Sequence, residues 1–341
     1  MPNFKPPARL LRRTIVTLAA IGLTLVTVLL VLACAPTLET TYAAGESVLG
    51  ERLETLDALY VGEEVCLECH EHVDSHYTQT LHAKAFRQNP RGPEQRQVCE
   101  ACHGPGSRHA DETWDKDLII GFTRNWETPV EVQNAACMSC HSGGERMHWS
   151  GSIHDRNEVA CSDCHNPMVK ASFQGALLAE SISETCYGCH AQQRADFHKR
   201  SHMPLPEGKM SCVDCHNPHG STTRPLLKAD SVNEVCYACH AEKRGPFLWE
   251  HAPVRENCSN CHLPHGSNHE SLLVTARPFL CQQCHNASIG HPGVFYNNSM
   301  TAASALLPAG AANPRIIGRS CQNCHTQIHG SNHPSGARWQ R

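Results

Sequence analysis

Residues 201–221 read SHMPLPEGKMSCVDCHNPHGS, and the rest of the chain is built from variations on them. The stretch holds a Cys-x-x-Cys-His pentad, Cys212 to His216, with His202 ahead of it and His219 just behind. That pentad is the attachment signature of c-type haem. Two thiols add to the vinyl groups of the porphyrin, and the adjoining histidine turns under the ring to bind iron. Two intervening residues make a turn tight enough to set both sulfurs along one edge. The flanking histidines are then candidates for the far side of an iron.

One pentad matches by accident easily; this chain has ten. They run Cys66–His70, Cys99–His103, Cys137–His141, Cys161–His165, Cys186–His190, Cys212–His216, Cys236–His240, Cys258–His262, Cys281–His285 and Cys321–His325. In each, the second cysteine lies three residues on: Cys69, Cys102, Cys140, Cys164, Cys189, Cys215, Cys239, Cys261, Cys284 and Cys324. Together they use twenty of the twenty-one cysteines, and a histidine follows every pair. A zinc ribbon or a disulfide framework has no need of that histidine. A thioredoxin-like motif occurs once, on a βαβ pattern that is absent.

The composition excludes an ordinary core. Aromatics make up 6% of the 341 residues, against 25 histidines, 23 glycines and 21 prolines. Beyond the N-terminal segment, roughly thirty residues remain for each cofactor. The expected fold is therefore a multihaem cytochrome c, with short α-helices and loops wrapped around a chain of ten haems and little β structure. Its net charge of −4 carries no case for nucleic acid.

Residues 1–43 read as an export signal or an anchor. Lys5, Arg9, Arg12 and Arg13 precede an uncharged apolar run over 14–33, long enough to span a bilayer if it is not removed. Two cleavage points fit. Cys34, the leftover cysteine, follows Val31-Leu32-Ala33 and resembles a bacterial lipoprotein site, which would tether the chain by lipid. Thr41-Tyr42-Ala43 would instead release a chain beginning at Ala44. Residues 44–62 are a polar linker.

From Cys161 onward a repeat of about fifty residues carries two pentads. One pentad is preceded by His and followed by Asn-Pro or Leu-Pro and then His or Met. The other follows an acidic approach, in which Ser181 and Ser231 are helix caps three residues before Glu184 and Glu234. Residues 110–135, 141–153 and 297–318 interrupt the rhythm and read as loops.

The repeat supplies His154, His202 and His251 upstream and His219 and His265 downstream as second iron ligands. His82 and His109 take these roles around Cys99–His103, as do His291 and His329 around Cys321–His325. The second repeat has Met168 where the others have histidine. His333 is assigned as the tenth ligand, with His198, His148, His76 and Met168 as alternatives. Irons closed on both faces bind substrate poorly and suit electron relay. No catalytic residue is assigned. The competing class is a multihaem reductase of a nitrogen or sulfur oxyanion, which needs one open-faced haem.

Residues 60–341 resemble the MtrA/DmsE family of periplasmic decahaem cytochromes, which includes the MtoA and PioA proteins. The resemblance rests on the pentad count and on CEACHGPGSRH, WSGSIHDRNEVACSDCHNPM, SHMPLPEGKMSCVDCHNPHGS, CSNCHLPHGS and CHTQIHGSNHPSG. It implies an elongated protein of two similar five-haem halves, set here at 63–200 and 201–341. It also implies a place in the periplasm at the outer membrane, inside a β-barrel porin. The implied partners are an outer-surface multihaem cytochrome or terminal reductase, with periplasmic or inner-membrane electron carriers. Extracellular electron transfer, in metal or dimethyl sulfoxide respiration or in Fe(II) oxidation, is the implied process.

Overall fold

The structure, a computed structural model, describes residues 57–285 and 320–338. The export segment with Cys34, most of the 44–62 linker, His291 and the 297–318 connector lie outside them. The described chain is short helices and turns joined by loops. Its only β features are isolated bridges such as His165 with Leu177, His216 with Leu227 and His262 with Leu273. Helix α1 spans Glu63–Tyr77, α2 Val130–His141, α3 Ile182–Tyr187, α4 Ala191–Phe197 and α5 Val232–Tyr237. None is long and apolar enough to cross a membrane.

The pentads take two local forms. Those at Cys66 and Cys137 lie within α1 and α2, and those at Cys186 and Cys236 run off the ends of α3 and α5. Ser181 Oγ accepts from the Glu184 amide at 3.1 Å and Ser231 Oγ from Glu234 at 3.2 Å. Each cap starts a helix one turn before a pentad, as their sequence positions predict. The pentads at Cys161, Cys212, Cys258 and Cys321 form single 3-10 turns instead. In both forms the histidine amide reaches back to the first cysteine carbonyl, at 2.9 Å in Cys161–His165 and 2.8 Å in Cys236–His240. That bond closes the turn and puts both sulfurs on one side.

Helical pentads are clipped to the 3-10 pentads that follow them. Asn134 in α2 accepts the Cys161 amide on Oδ1 at 2.8 Å and donates from Nδ2 to the Val159 carbonyl. Asn233 in α5 does the same for Cys258 at 2.7 Å, donating to Val254 and Arg255. Both amides are buried, and a buried side chain saturated this way fixes the relative position of two turns.

The 110–135 connector is more ordered than a surface loop. Trp126 folds back over Gly121, where any side chain would collide with the indole, and its Nε1 donates to the Lys116 and Ile119 carbonyls. Residues 130–135 already belong to α2. The one apolar cluster is small: Tyr77, Ala83 and Val98, with Val73, Phe86, Cys99 and Met168 against it.

Beside this cluster Glu100, 3% exposed, gathers the amides of Val61, Gly62 and Gly106 on its carboxyl group at 2.8–2.9 Å. It ties the entry strand to the second pentad. Glu100→Ala strands one buried amide at Gly106 and two half-buried ones at Val61 and Gly62, at about 1–3 kcal/mol for each that water does not reach. The variant should lose at least about 2 kcal/mol in denaturant unfolding. An unchanged midpoint would show that this carboxyl group holds nothing together.

Candidate haem sites

The histidines that close the 3-10 pentads share one environment. His165 Nδ1 donates to the Gly175 carbonyl at 2.6 Å, His216 Nδ1 to Pro225 at 2.8 Å and His262 Nδ1 to Ser271 at 2.8 Å. His103 does the same with Ile120 at 2.7 Å. A carbonyl only accepts, so the proton must sit on Nδ1, and Nε2 keeps its lone pair for a metal. The return chain that supplies the carbonyl is bonded back to the pentad. Leu178, Lys228 and Val274 amides donate to the Cys164, Cys215 and Cys261 carbonyls. Each copy places non-glycine residues in a left-handed conformation: Ala176 at φ 51°, Leu226 at 59°, and both Ser271 and Leu272 at 57°. Such strain costs on the order of 1 kcal/mol and persists where its surroundings dictate it.

Among the described residues, seven pentad histidines each stand across from a second imidazole. Ring centroids lie 6.5 Å apart for His70 and His109, 5.9 Å for His141 and His82, and 6.2 Å for His190 and His154. They lie 6.1 Å apart for His165 and His219, 6.1 Å for His216 and His265, 6.0 Å for His285 and His251, and 6.2 Å for His262 and His329. A metal–nitrogen bond of roughly 2.0 Å to each ring fills such a gap. The spacing fits an iron between two imidazoles. It is too wide for ring-on-ring packing alone in the nearly parallel pairs. Burial lowers the pKa of His82, His109, His219, His251, His265 and His329, and the facing imidazole lowers it further at His82, His109, His219 and His265. A neutral imidazole is the form that binds metal.

The flanking histidines serve distant pentads. His82 and His109 bracket Cys99–His103, yet they face His141 and His70. His219 follows the sixth pentad and faces the fourth. Glycine permits this reach: a side chain at Gly220 would strike the His148 carbonyl, and one at Gly266 the Asp196 carbonyl. Asn217 Nδ2 secures the first contact by donating to the Glu145 carbonyl at 2.9 Å.

Two expected ligands stand elsewhere. His202 does not face His240: its Nε2 meets Glu207 Oε1 at 3.0 Å and its Nδ1 donates to the Lys199 carbonyl at 2.7 Å. Those two contacts raise its pKa, opposite to its counterparts. His333 is exposed, its Nδ1 accepting from the Ser335 amide, on a segment paired with Trp249 through Ser331. His291 lies outside the described residues. Of the alternatives, His76 is exposed on α1, His148 backs onto Gly220, and His198 caps α4.

The cysteines place the pentads in series. First cysteines of successive pairs lie close enough that one thiol shifts the other: Cys66 with Cys99, Cys137 with Cys161, Cys186 with Cys212, Cys236 with Cys258 and Cys281 with Cys321. Second cysteines do so for the alternate pairs. Burial pushes the Cys102 thiol up to about 11, and Cys140 of the next pentad adds to it. At Cys164, Cys215 and Cys261, burial is again the main cause. Asp163 and Asp214 contribute at the first two, and the next pentad's Cys189, Cys239 and Cys284 contribute in turn. Each attachment turn but the first and last therefore has one thiol within electrostatic reach of a neighbouring turn and the other within reach of the next.

Residues 154–195, 202–245 and 251–289 each match the family described as doubled CXXCH motif, the two-pentad unit beginning at its upstream histidine. Residues 99–174 match the cytochrome c-type NrfB-like family. A sheetless fold of repeated attachment turns and facing imidazoles defines a multihaem c-type cytochrome, which binds haem covalently and transfers electrons. The multihaem cytochrome MtrA of Shewanella baltica (strain OS185) is 41% identical over 280 residues, 82% of this chain and 81% of that protein. The chain belongs to the MtrA family.

Replacing His265 by alanine takes the second imidazole from His216. Electron paramagnetic resonance of the oxidised variant should then show a high-spin ferric signal absent from the parent, with the other haems unchanged. Gly266→Ala should give a weaker form of the same signal, because its new methyl displaces the chain that carries His265. Purely low-spin spectra from both would break the assignment.

Proposed function

We propose that the ten pentads hold ten haems and that the protein passes electrons between the periplasm and the cell exterior. The observation that carries this is the run of seven facing imidazole pairs from His70 to His329, each joining one pentad to a later or earlier unit. Electron transfer falls off steeply with the gap between cofactors. Pairs that tie neighbouring units together in this way keep each ring within reach of the next. Bound haem supplies the Fe(III)/Fe(II) couple. The polypeptide supplies paired imidazoles that need not move when the charge changes, so little reorganisation opposes each hop. Residues 63–200 and 201–341 carry five pentads each.

The route out of the cell, in this reading, runs through an outer-membrane β-barrel porin that sheathes the cytochrome. An outer-surface cytochrome or terminal reductase lies beyond it, and periplasmic or inner-membrane carriers lie before it. Similarity to a multihaem cytochrome MtrA supports this placement, as does the basic-then-apolar N-terminus. Metal or dimethyl sulfoxide respiration and Fe(II) oxidation use the same conductor in opposite directions. A reductase is the second reading, and His202 favours it: with Nε2 held by Glu207, the far side of His240 is the place for an open haem.

Intact mass of the mature chain should show ten added haems, and its N-terminal residue distinguishes lipidated Cys34 from Ala44. Cross-linking in intact outer membranes should join the protein to a barrel. Fewer haems would break the relay, and a chain recovered only from the soluble periplasm would remove the barrel. A high-spin ferric signal from the parent protein would favour the reductase.

A further inference from the structure

His103 has no imidazole facing it at the pairing distance among the described residues; Phe122 stands edge-on at 5.2 Å instead. Its Nδ1 nevertheless donates to Ile120, leaving Nε2 for iron as at His165, His216 and His262. We propose that Met168 is the second axial ligand of the haem at Cys99, Cys102 and His103, its thioether sulfur standing where the neighbouring copies place imidazole.

The register of the repeat makes the assignment. His219, His265 and His329 each lie shortly after a 3-10 pentad, and each faces the 3-10 pentad one unit earlier: His165, His216 and His262. Met168 holds the same place after Cys161–His165. One unit earlier lies the pentad that ends at His103. The local structure is also shared. The Met168 amide donates to Asn166 Oδ1 at 3.0 Å as the His219 amide donates to Asn217 Oδ1 at 3.1 Å. The Asn166, Asn217 and Leu263 amides in turn donate to Ala176, Leu226 and Leu272 at 2.7–2.8 Å.

Packing agrees with the register. Met168 is half-buried against Tyr77, Ala83 and Val98, in one cluster with Cys99. Cys99 is the first thioether cysteine of the very pentad in question. Val169 follows Met168 where the histidine copies have glycine. Among the described residues no histidine competes for the place: His72, His76, His148 and His198 are exposed, and His333 lies on the segment bonded to Trp249.

A thioether is a neutral, soft donor, and it favours ferrous over ferric iron relative to a second imidazole. The haem at His103 would therefore have a higher potential than its bis-imidazole neighbours. The turn Glu100–His103 packs against α2, which carries the third pentad, so the site lies in series between the first and third pentads. Its role as a step in the relay rests on the function proposed above; the ligand assignment does not.

Near-infrared magnetic circular dichroism of the oxidised full-length protein should show, for one haem in ten, the porphyrin-to-iron charge-transfer band at the lower energy of thioether–imidazole ligation, apart from the bis-imidazole bands. Met168→His should abolish it and move the highest-potential component in film voltammetry to lower potential. Met168→Leu should abolish it and leave a high-spin haem. The proposal is overturned if the fully loaded parent lacks the band, or if the band survives in Met168→His. Haem count by mass on the same samples tests the ten-haem relay independently: a short count with the band present and lost in Met168→His would sink that relay and leave this ligand standing.

Discussion

The structure depends on one demand, that an iron held at one point of the chain be closed by a side chain from another. Each facing pair joins residues dozens of positions apart. Apolar side chains buried among the described residues are scattered, and the cluster around Tyr77, Ala83 and Val98 is small. In a chain this poor in aromatics, a covalent cofactor with two axial bonds does the work of a hydrophobic core. Fold and conductor are the same object, because the contacts that order the backbone are those that hold the irons.

That demand explains the repeated local strain. Ala176, Leu226 and Leu272 adopt a conformation that side chains disfavour, and the outcome is the same each time: a carbonyl aimed at Nδ1 of the pentad histidine. The bond fixes the tautomer and the plane of the ring, and with them the direction of the Nε2 lone pair. Where Gly220 and Gly266 meet backbone carbonyls, the chain gives up side chains to bring the second imidazole close. The cost recurs at equivalent positions, as expected of a unit copied for one purpose.

Much of this is legible in the sequence. Ten identical attachment motifs name the chemistry without any geometry, and Ser181 and Ser231 mark helix starts because a serine three residues before a glutamate has few other uses there. The flanking histidines are equally visible as ligands. Which iron each one closes is not, because that follows from how successive units stack. His82 serves His141 across a distance no local motif encodes. Trp126 is another case: the 110–135 connector reads as a loop, and its order comes from an indole that fits only over a glycine at 121.

The same stacking gives Met168 its meaning. As a sequence feature it is a gap in a series of histidines, one unit too early to be compared with the pentad it serves. Once His219, His265 and His329 are each seen one unit away from their partners, the gap falls opposite His103. In a branched array a cofactor with a different ligand could be bypassed. Here the cysteines of successive motifs shift one another in turn, the order expected of a single file. A file of this kind conducts no better than its least matched neighbours allow, so on the proposed ligation one exchanged ligand would govern traffic through the whole.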